Sequence, residues 1–351
     1  MPEKIIQVAI IGFGLSGRVF HAPFLHVHPG FAIRKVVERN TSKSKEIYPY
    51  VEVVKDYKNV LRDPEIDLVV IASPNALHFT MATECLKAGK HVIIEKPFTP
   101  TSAKAEQLIK LSESCQRKLF VYQNRRWDGD FLTIKNILQN NYLGEIKEYE
   151  AHFDRYRPVY NVASWKDENV PASGILYDLG SHLIDQALQL FGKPKSIFAD
   201  IRRQRNDSPI DDYFDVQLFY EGFKAILKAG MIVKIPGPRY IIHGNKGSFV
   251  KYGIDPQEVA LKNGLMPGQK DWGKELVEDY GHLAGEIDGN PFDGKIPTFA
   301  GDYSGFYENV YQVLINGKEM AVKPEEARDI IRVIELAYES AEKKKMIEFR
   351  Y

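Results

Sequence analysis

The feature that most constrains this chain is an apolar run, Ile5, Ile6, Val8, Ala9, Ile10 and Ile11, that ends directly in Gly12-Phe13-Gly14-Leu15-Ser16-Gly17. A nearly uninterrupted apolar run reads as a strand buried on both faces, and such strands belong to parallel sheets covered by helices. The glycines that follow have the spacing G-x-G-x-x-G. At that spacing Gly12 permits the tight turn, Gly14 lets backbone amides approach a pyrophosphate, and Gly17 lets the next helix pack closely on the strand. The helix amino terminus then presents free N–H donors and a positive dipole end to phosphates. A glycine-rich turn alone carries little. Residues 31–38, FAIRKVVE, read as a second strand, and Glu38 stands 21 positions beyond Gly17, which makes the pair a dinucleotide-binding pattern.

At the Glu38 position an acidic side chain accepts hydrogen bonds from the adenosine ribose hydroxyls, and its charge repels a 2′-phosphate. Arg39 follows at once, and a guanidinium there can pair with that phosphate while Glu38 swings away. The other reading is a solvated Glu-Arg pair in a loop. We take Glu38 as a ribose ligand and keep both NAD and NADP as cofactors.

Strand and helix patterns alternate through the first third. A short strand is expected near 51–54, a helix near 56–62, a strand at 67–72, a helix over about 77–88, strands at 91–95 and 119–123, and between those two an amphipathic helix at 101–116. This rhythm requires a parallel sheet with right-handed crossovers, whose ligand sits beyond the carboxyl ends of the strands. Ser73-Pro74-Asn75, Glu95-Lys96-Pro97 and Asn124-Arg125-Arg126 occupy such ends. The expected cofactor contacts are therefore the six residues of the glycine loop, Glu38, Arg39, Ser73, Pro74, Asn75, His78, Glu95 and Lys96.

From about residue 145 the pattern changes. Residues 145–156 alternate like an antiparallel strand, 178–192 read as a helix, and strand-like runs follow near 195–205, 212–220, 224–234 and 239–252. Residues 264–302, rich in Gly and Asp, read as long loops, and 304–316 and 324–344 as helices. The fold class is thus α/β: an N-terminal Rossmann domain with a doubly wound parallel sheet over 1–125, then a C-terminal α+β domain over 126–351 with a large, mostly antiparallel, open-faced sheet. The C-terminal helices have the option of packing back on the Rossmann domain.

With 351 residues, 44% hydrophobic and 27% charged, the chain buries a full core and divides into two domains. Acidic and basic residues cancel at 47 each, so no basic surplus recommends nucleic acid or an anionic membrane as partner. The first residues lead straight into a strand without a signal peptide, and no apolar run reaches membrane-spanning length. Cys85 and Cys115 form no metal or redox motif and read as thiols in a reducing cytoplasm.

The segments GFGLSGRVFHAPFL, EKPF, YQNRRWD and YDLGSHLIDQALQLFG resemble the glucose-fructose oxidoreductase, inositol dehydrogenase and rhizopine-catabolism superfamily, Gfo/Idh/MocA. The segment GPRYIIHGNKGSFVKYGIDPQE at 237–258 is especially similar to bacterial scyllo-inositol 2-dehydrogenases that use NADP. The resemblance covers essentially the whole chain. It implies a Rossmann domain, a C-terminal domain with an open mixed sheet, a homodimer or homotetramer formed through that sheet, and oxidation or reduction at a sugar or cyclitol carbon.

It also implies a catalytic set. The lysine of the family's E-K-P motif matches Lys96, preceding a cis proline at Pro97, where it would hydrogen-bond the reacting oxygen. The family's D-x-x-x-H element matches Asp178 and His182. Four-residue spacing puts both on one helix face, so the carboxylate orients the imidazole that removes the hydroxyl proton. Taken one at a time, Asp178 reads equally as a helix cap, His182 as a core histidine and Lys96 as an exposed residue before a turn proline. Asp185 shares the face of His182, as a hydroxyl ligand or as a helix-surface salt bridge. Asn124 and Arg125 match positions lining the cleft in inositol dehydrogenases, with a solvated Arg125-Arg126 pair as the other reading. Tyr156 and Trp165 offer aromatic faces to a sugar ring, or serve the core. No histidine shows ligand spacing, so no metal is expected. The expected function is an NAD(P)-dependent dehydrogenase or reductase for a cyclitol or sugar-like substrate. The alternative is a non-catalytic dinucleotide- or sugar-sensing regulator, which would not need the proton-transfer set.

Overall fold

Six strands, β1 Ile6–Ile11, β2 Phe31–Val37, β3 Glu52–Val54, β4 Leu68–Ile71, β5 His91–Ile94 and β6 Leu119–Val121, pair in parallel in the order β3-β2-β1-β4-β5-β6. This is the doubly wound order, whose switch point falls between β1 and β4, where the glycine loop begins. Burial on both faces is why the runs read as continuous apolar stretches: Val8, Ala9, Ile10, Val69, Val70, Ile71 and Ile93 have no exposed surface. The structure, a computed structural model, describes residues 4–160 and 169–351. The chain forms two units, the first made of Met1–Asn124, Gln257–Trp272 and Asp302–Arg328, the second of Arg125–Pro256, Gly273–Gly301 and Asp329–Tyr351.

Within the first unit, helix Ser304–Asn316 returns from late in the chain. Its Tyr307 stacks on Phe24 at 5.2 Å and its Tyr311 meets Phe31 edge-on at 5.9 Å. Aromatic pairs of this geometry add stabilisation beyond their buried area.

The second unit holds a nine-stranded sheet of β7 Ile146–His152, β8 Ser196–Arg202, β9 Tyr213–Phe219, β10 Lys224–Gly230, β11 Tyr240–Gly244, β12 Ser248–Lys251, β13 His282–Ile287, β14 Asn290–Lys295 and β15 Ile347–Glu348. Its order is β14-β13-β12-β11-β7-β10-β9-β8-β15. All pairs are antiparallel except β7 with β10, so the strand at 145–156 is antiparallel only toward β11. Two expectations are corrected. The run 239–252 is a hairpin, turned where Gly244 N–H donates to Gly247 carbonyl at 2.8 Å. The region 264–302 is not all loop: β13 and β14 pair across Asp288 and Gly289, whose φ values of 51° and 80° suit a two-residue Asp-Gly hairpin turn. β15 adds a short edge strand to β8.

Strand pleating separates the two faces of this sheet. Tyr149, Ala151, Phe214, Val216, Leu218, Ala225, Leu227, Tyr240 and Ile242 are completely buried, and helix Ser181–Phe191 packs on that side. The opposite face carries Glu148, Glu150, His152, Asp215, Gln217, Lys224 and Lys228 at intermediate exposure. Lys224 pairs with Glu148 at 3.5 Å and Lys228 with Asp215 at 3.6 Å. Apolar side chains interleave with these charges: Ile226, Ile241 and Val250 are half-buried on the same face and Phe198 is exposed on it, so the open face is mixed in character.

Candidate active site

Each glycine of the loop after β1 has a distinct physical task. Gly12 has φ +96°, and a Cβ there would stand 2.6 Å from the Ala72 carbonyl oxygen. A Cβ on Gly17 would stand 2.0 Å from the Gly12 oxygen, so the first and third glycines are demanded by turn and packing. A Cβ on Gly14 would meet nothing within 4 Å. Its backbone faces open space, as a loop approached by a pyrophosphate requires. Phe13 is buried edge-on against Tyr48 at 6.4 Å, while Leu15 is exposed.

Beyond β5, Glu95 ties this loop to the lysine. It is buried, accepts the Ser16 hydroxyl and the Lys96 N–H, the latter at 3.0 Å, and lies 3.0 Å from His21 Nε2. Burial pushes its carboxyl up, but the His21 ring, Ser16 and the Lys96 charge outweigh that and hold it below the usual carboxylate range. His21 Nδ1 lies 3.0 Å from the Tyr307 hydroxyl, which anchors the cluster to helix Ser304–Asn316. The Lys96–Pro97 peptide is cis. His78 is completely buried, with Nδ1 3.0 Å from the Pro97 carbonyl and Nε2 3.0 Å from the Ser73 carbonyl. This corrects its expected role: a side chain enclosed in this way braces the ends of β4 and β5 and does not itself touch a cofactor.

Glu38 is corrected as well. Its carboxylate turns into its own loop and accepts the hydroxyls of Thr41 and Ser44 and the N–H groups of Lys43 and Ser44, the latter two at 3.0 and 2.9 Å. Burial pushes the group up, yet these bonds hold it below the usual range. A carboxylate so committed organises the turn rather than reaching a ribose. Arg39 beside it is exposed.

Residues Asn124–Trp127 form a short 3-10 turn, and in the second unit Leu176–Gly180 form a π-turn that leads into helix Ser181–Phe191. Asp178 lies on the π-turn and His182 on the first turn of the helix. Regular α-helical spacing would carry His182 about 40° past Asp178. The wider π-turn reduces that offset and brings the two nearer to one line. His182 is buried, its ring 6.4 Å from that of Phe153. The guanidinium groups of Arg125, Arg155 and Arg239 lie 4.8, 5.4 and 4.3 Å from the same Phe153 ring. Arg155 is also 4.0 Å from the Asp178 carboxylate.

The arginine pair after β6 is not solvated. Arg125 is buried and donates to Asp128 at 3.1 Å; Arg126 is buried and donates to both oxygens of Asp185 at 2.6 to 3.1 Å. Asp185 is thus the buried counter-ion of Arg126, which corrects both the hydroxyl-ligand and the surface readings. Asn124 is buried. Tyr156 is half exposed beside the isolated bridge to Ile232, and Trp165 lies outside the described residues. Phe153 and Arg239 escape sequence reasoning, because the approach of Arg239 to Phe153, and so to the ring facing His182, depends on the pairing of β7 with β11.

The profile described as "Oxidoreductase family, NAD-binding Rossmann fold" matches residues 6–123, and "Oxidoreductase family, C-terminal alpha/beta domain" matches residues 135–349. The chain belongs to the Gfo/Idh/MocA oxidoreductase family. This Gfo/Idh/MocA protein is 42% identical over 342 residues to the scyllo-inositol 2-dehydrogenase (NADP(+)) IolW of Bacillus subtilis, covering 97% of this chain and 95% of that one. It is 40% identical to YdgJ of Escherichia coli, an uncharacterized oxidoreductase, over 96% of each chain. The solved oxidoreductase structure yvaA from Bacillus subtilis superposes with a TM-score of 0.95 at 41% identity over 99% of both chains. The Gfo/Idh/MocA chain is an oxidoreductase with an NAD-binding Rossmann domain. Among the described residues, no helix is long and apolar enough to cross a membrane, and no group of three or more His, Cys, Asp or Glu side chains is placed to hold a metal ion.

Proposed function

We propose that this oxidoreductase acts at a carbinol or ketone carbon of a cyclitol or sugar-like substrate, with scyllo-inositol and its 2-keto form as the leading pair. The observation that carries this reading is the buried His182, four residues after Asp178 on the same helical segment, beside a cluster of guanidinium groups. The likeness to a scyllo-inositol dehydrogenase supports the substrate class. A bound nicotinamide supplies hydride acceptance in oxidation and donation in reduction. His182 takes the hydroxyl proton in oxidation and returns it in reduction. Asp178 orients the imidazole, and the Lys96 ammonium hydrogen-bonds the reacting oxygen as charge develops there.

The turn after β2 supports NADP over NAD. With Glu38 folded inward, its charge is satisfied within the loop, and the exposed Arg39 is available to a 2′-phosphate. Self-association into a dimer or tetramer through the open face of the nine-stranded sheet, and a reducing cytoplasmic setting for the free Cys85 and Cys115, complete the reading.

A panel of cyclitols and sugars with each cofactor, followed by absorbance of the reduced nicotinamide, tests this. Turnover of scyllo-inositol with NADP is the expected result. Turnover confined to substrates without a polyol ring would overturn the substrate class.

A further inference from the structure

The turn that carries Asp178 is held from outside by one carboxylate. Asp211 stands two residues before β9. Its backbone carbonyl accepts the Ile175 N–H at 3.0 Å, and its Oδ2 accepts the Leu176 N–H at 3.0 Å. Its Oδ1 accepts the Tyr338 hydroxyl at 2.7 Å. The Tyr338 ring lies 6.0 Å from that of Tyr177, at 28° to it. Gly174 has φ +94°, and a Cβ there would stand 2.1 Å from Asp211 Oδ1. Glycine alone lets the carboxylate come this close. The Gly174 carbonyl in turn accepts the Asp178 N–H at 3.0 Å.

The first N–H groups of any helical segment lack intrahelical partners, and one that opens with a π-turn depends on acceptors outside itself. Asp211 supplies two such acceptors at the start of the turn, and helix Ser181–Phe191 continues from it. We propose that the Asp211 carboxylate, through the N–H of Leu176, is the positioning group that sets the alignment of Asp178 with His182. The proposal rests on the roles given above to Asp178 and His182. It extends them to a side chain 33 positions from Asp178 in sequence, remote from the reacting atoms.

The test is the titration of the His182 imidazole, followed by NMR in the full chain, together with steady-state kinetics on scyllo-inositol and NADP. Asp211→Ala is expected to move the imidazole midpoint to that of Asp178→Asn. It should lower kcat by about 10²-fold, as a displacement of about 1 Å does, and leave the KM for NADP unchanged. Asp211→Asn should restore both readouts, because its amide oxygen still accepts from Leu176 and its NH2 donates to Tyr338. A wild-type midpoint in Asp211→Ala, or an Asn variant that behaves like Ala, overturns the proposal. If Asp211→Ala fails to fold by circular dichroism, Tyr338→Phe, which removes one of the two side-chain bonds, must shift the midpoint in the same direction; no shift overturns it. His182→Ala is measured alongside. Full turnover in that variant would remove the catalytic role of His182, while the imidazole titration still decides whether Asp211 aligns the pair.

Discussion

The two sheets of this protein handle charge in opposite ways. In the parallel sheet, β1, β4 and β6 carry no charged residue, Arg34 and Lys35 lie on β2, and Glu38 and Glu95 just beyond strand ends are buried and hydrogen-bonded. In the nine-stranded sheet, charge runs along the strands of one face, where Lys224, Glu148, Lys228 and Asp215 pair across neighbours. The difference follows from cover. The strands of a sheet that are enclosed on both faces exclude charge, while a half-open sheet solvates alternate positions. The glycine loop is thus held by a buried carboxylate in the first case, and in the second the groups proposed to react, Asp178 and His182, lie at the start of a helix beside the sheet.

The sharpest division to break is that between binding and chemistry. His182→Ala is expected to keep dinucleotide affinity and lose about 10²–10⁴-fold in turnover, measured by coenzyme fluorescence titration and steady-state rates. Lys96→Ala should damage both kcat and KM. Near-normal turnover in both variants would remove the catalytic assignment from both sheets.

Within the first sheet the glycines separate folding from binding. Gly12→Ala, at φ +96° and 2.6 Å from a carbonyl, should cost about 1–3 kcal/mol of stability in thermal melts and abolish coenzyme binding. Gly14→Ala should melt as the parent does and weaken coenzyme alone. Equal melting of the two would show that the loop is not strained as described.

The cofactor turn gives a smaller effect. Arg39→Ala should weaken NADP by about 1.5–3 kcal/mol and NAD far less, read from the ratio of dissociation constants. Equal losses would show that Arg39 does not discriminate.

The smallest effects concern pH, and they have opposite signs in the two sheets. Glu95 is held below its ordinary value of 4.5, so its contribution to stability is present above that value and is lost as pH falls through its folded value. His152 loses something to burial, but Asp154 and Glu150 at 3.1 and 2.7 Å raise it above 6.5. Its contribution is full below 6.5 and is lost as pH rises through the folded value. Melting temperatures across pH should therefore lose their acid slope in Glu95→Gln and their slope above 6.5 in His152→Gln. The same slope change in both would contradict the contrast.

Much of this was legible in the chain itself, for reasons that are local. The glycine turn and the parallel strands depend on neighbours in sequence, so periodicity and spacing are enough to find them, while Asp178 and His182 stand out by resemblance to the family's D-x-x-x-H element. The β13–β14 hairpin was equally local, since Asp288-Gly289 is a turn signal, but polar strands at a sheet edge lack the apolar alternation that marks a strand. The fate of the buried charges was not local. Asp185 meets Arg126 across 59 positions and Glu95 meets Ser16 across 79, and whether a carboxylate serves a ligand, a loop or a counter-ion is decided by what stands within hydrogen-bond reach once water is excluded. Sequence spacing determined where the dinucleotide loop would form, and family resemblance marked the Asp178–His182 pair. Only the tertiary structure decided that Glu38 and His78 brace their loops, that Asp185 neutralises Arg126, and that Asp211 holds the turn, because a buried charge is stable only beside the partner that folding brings to it.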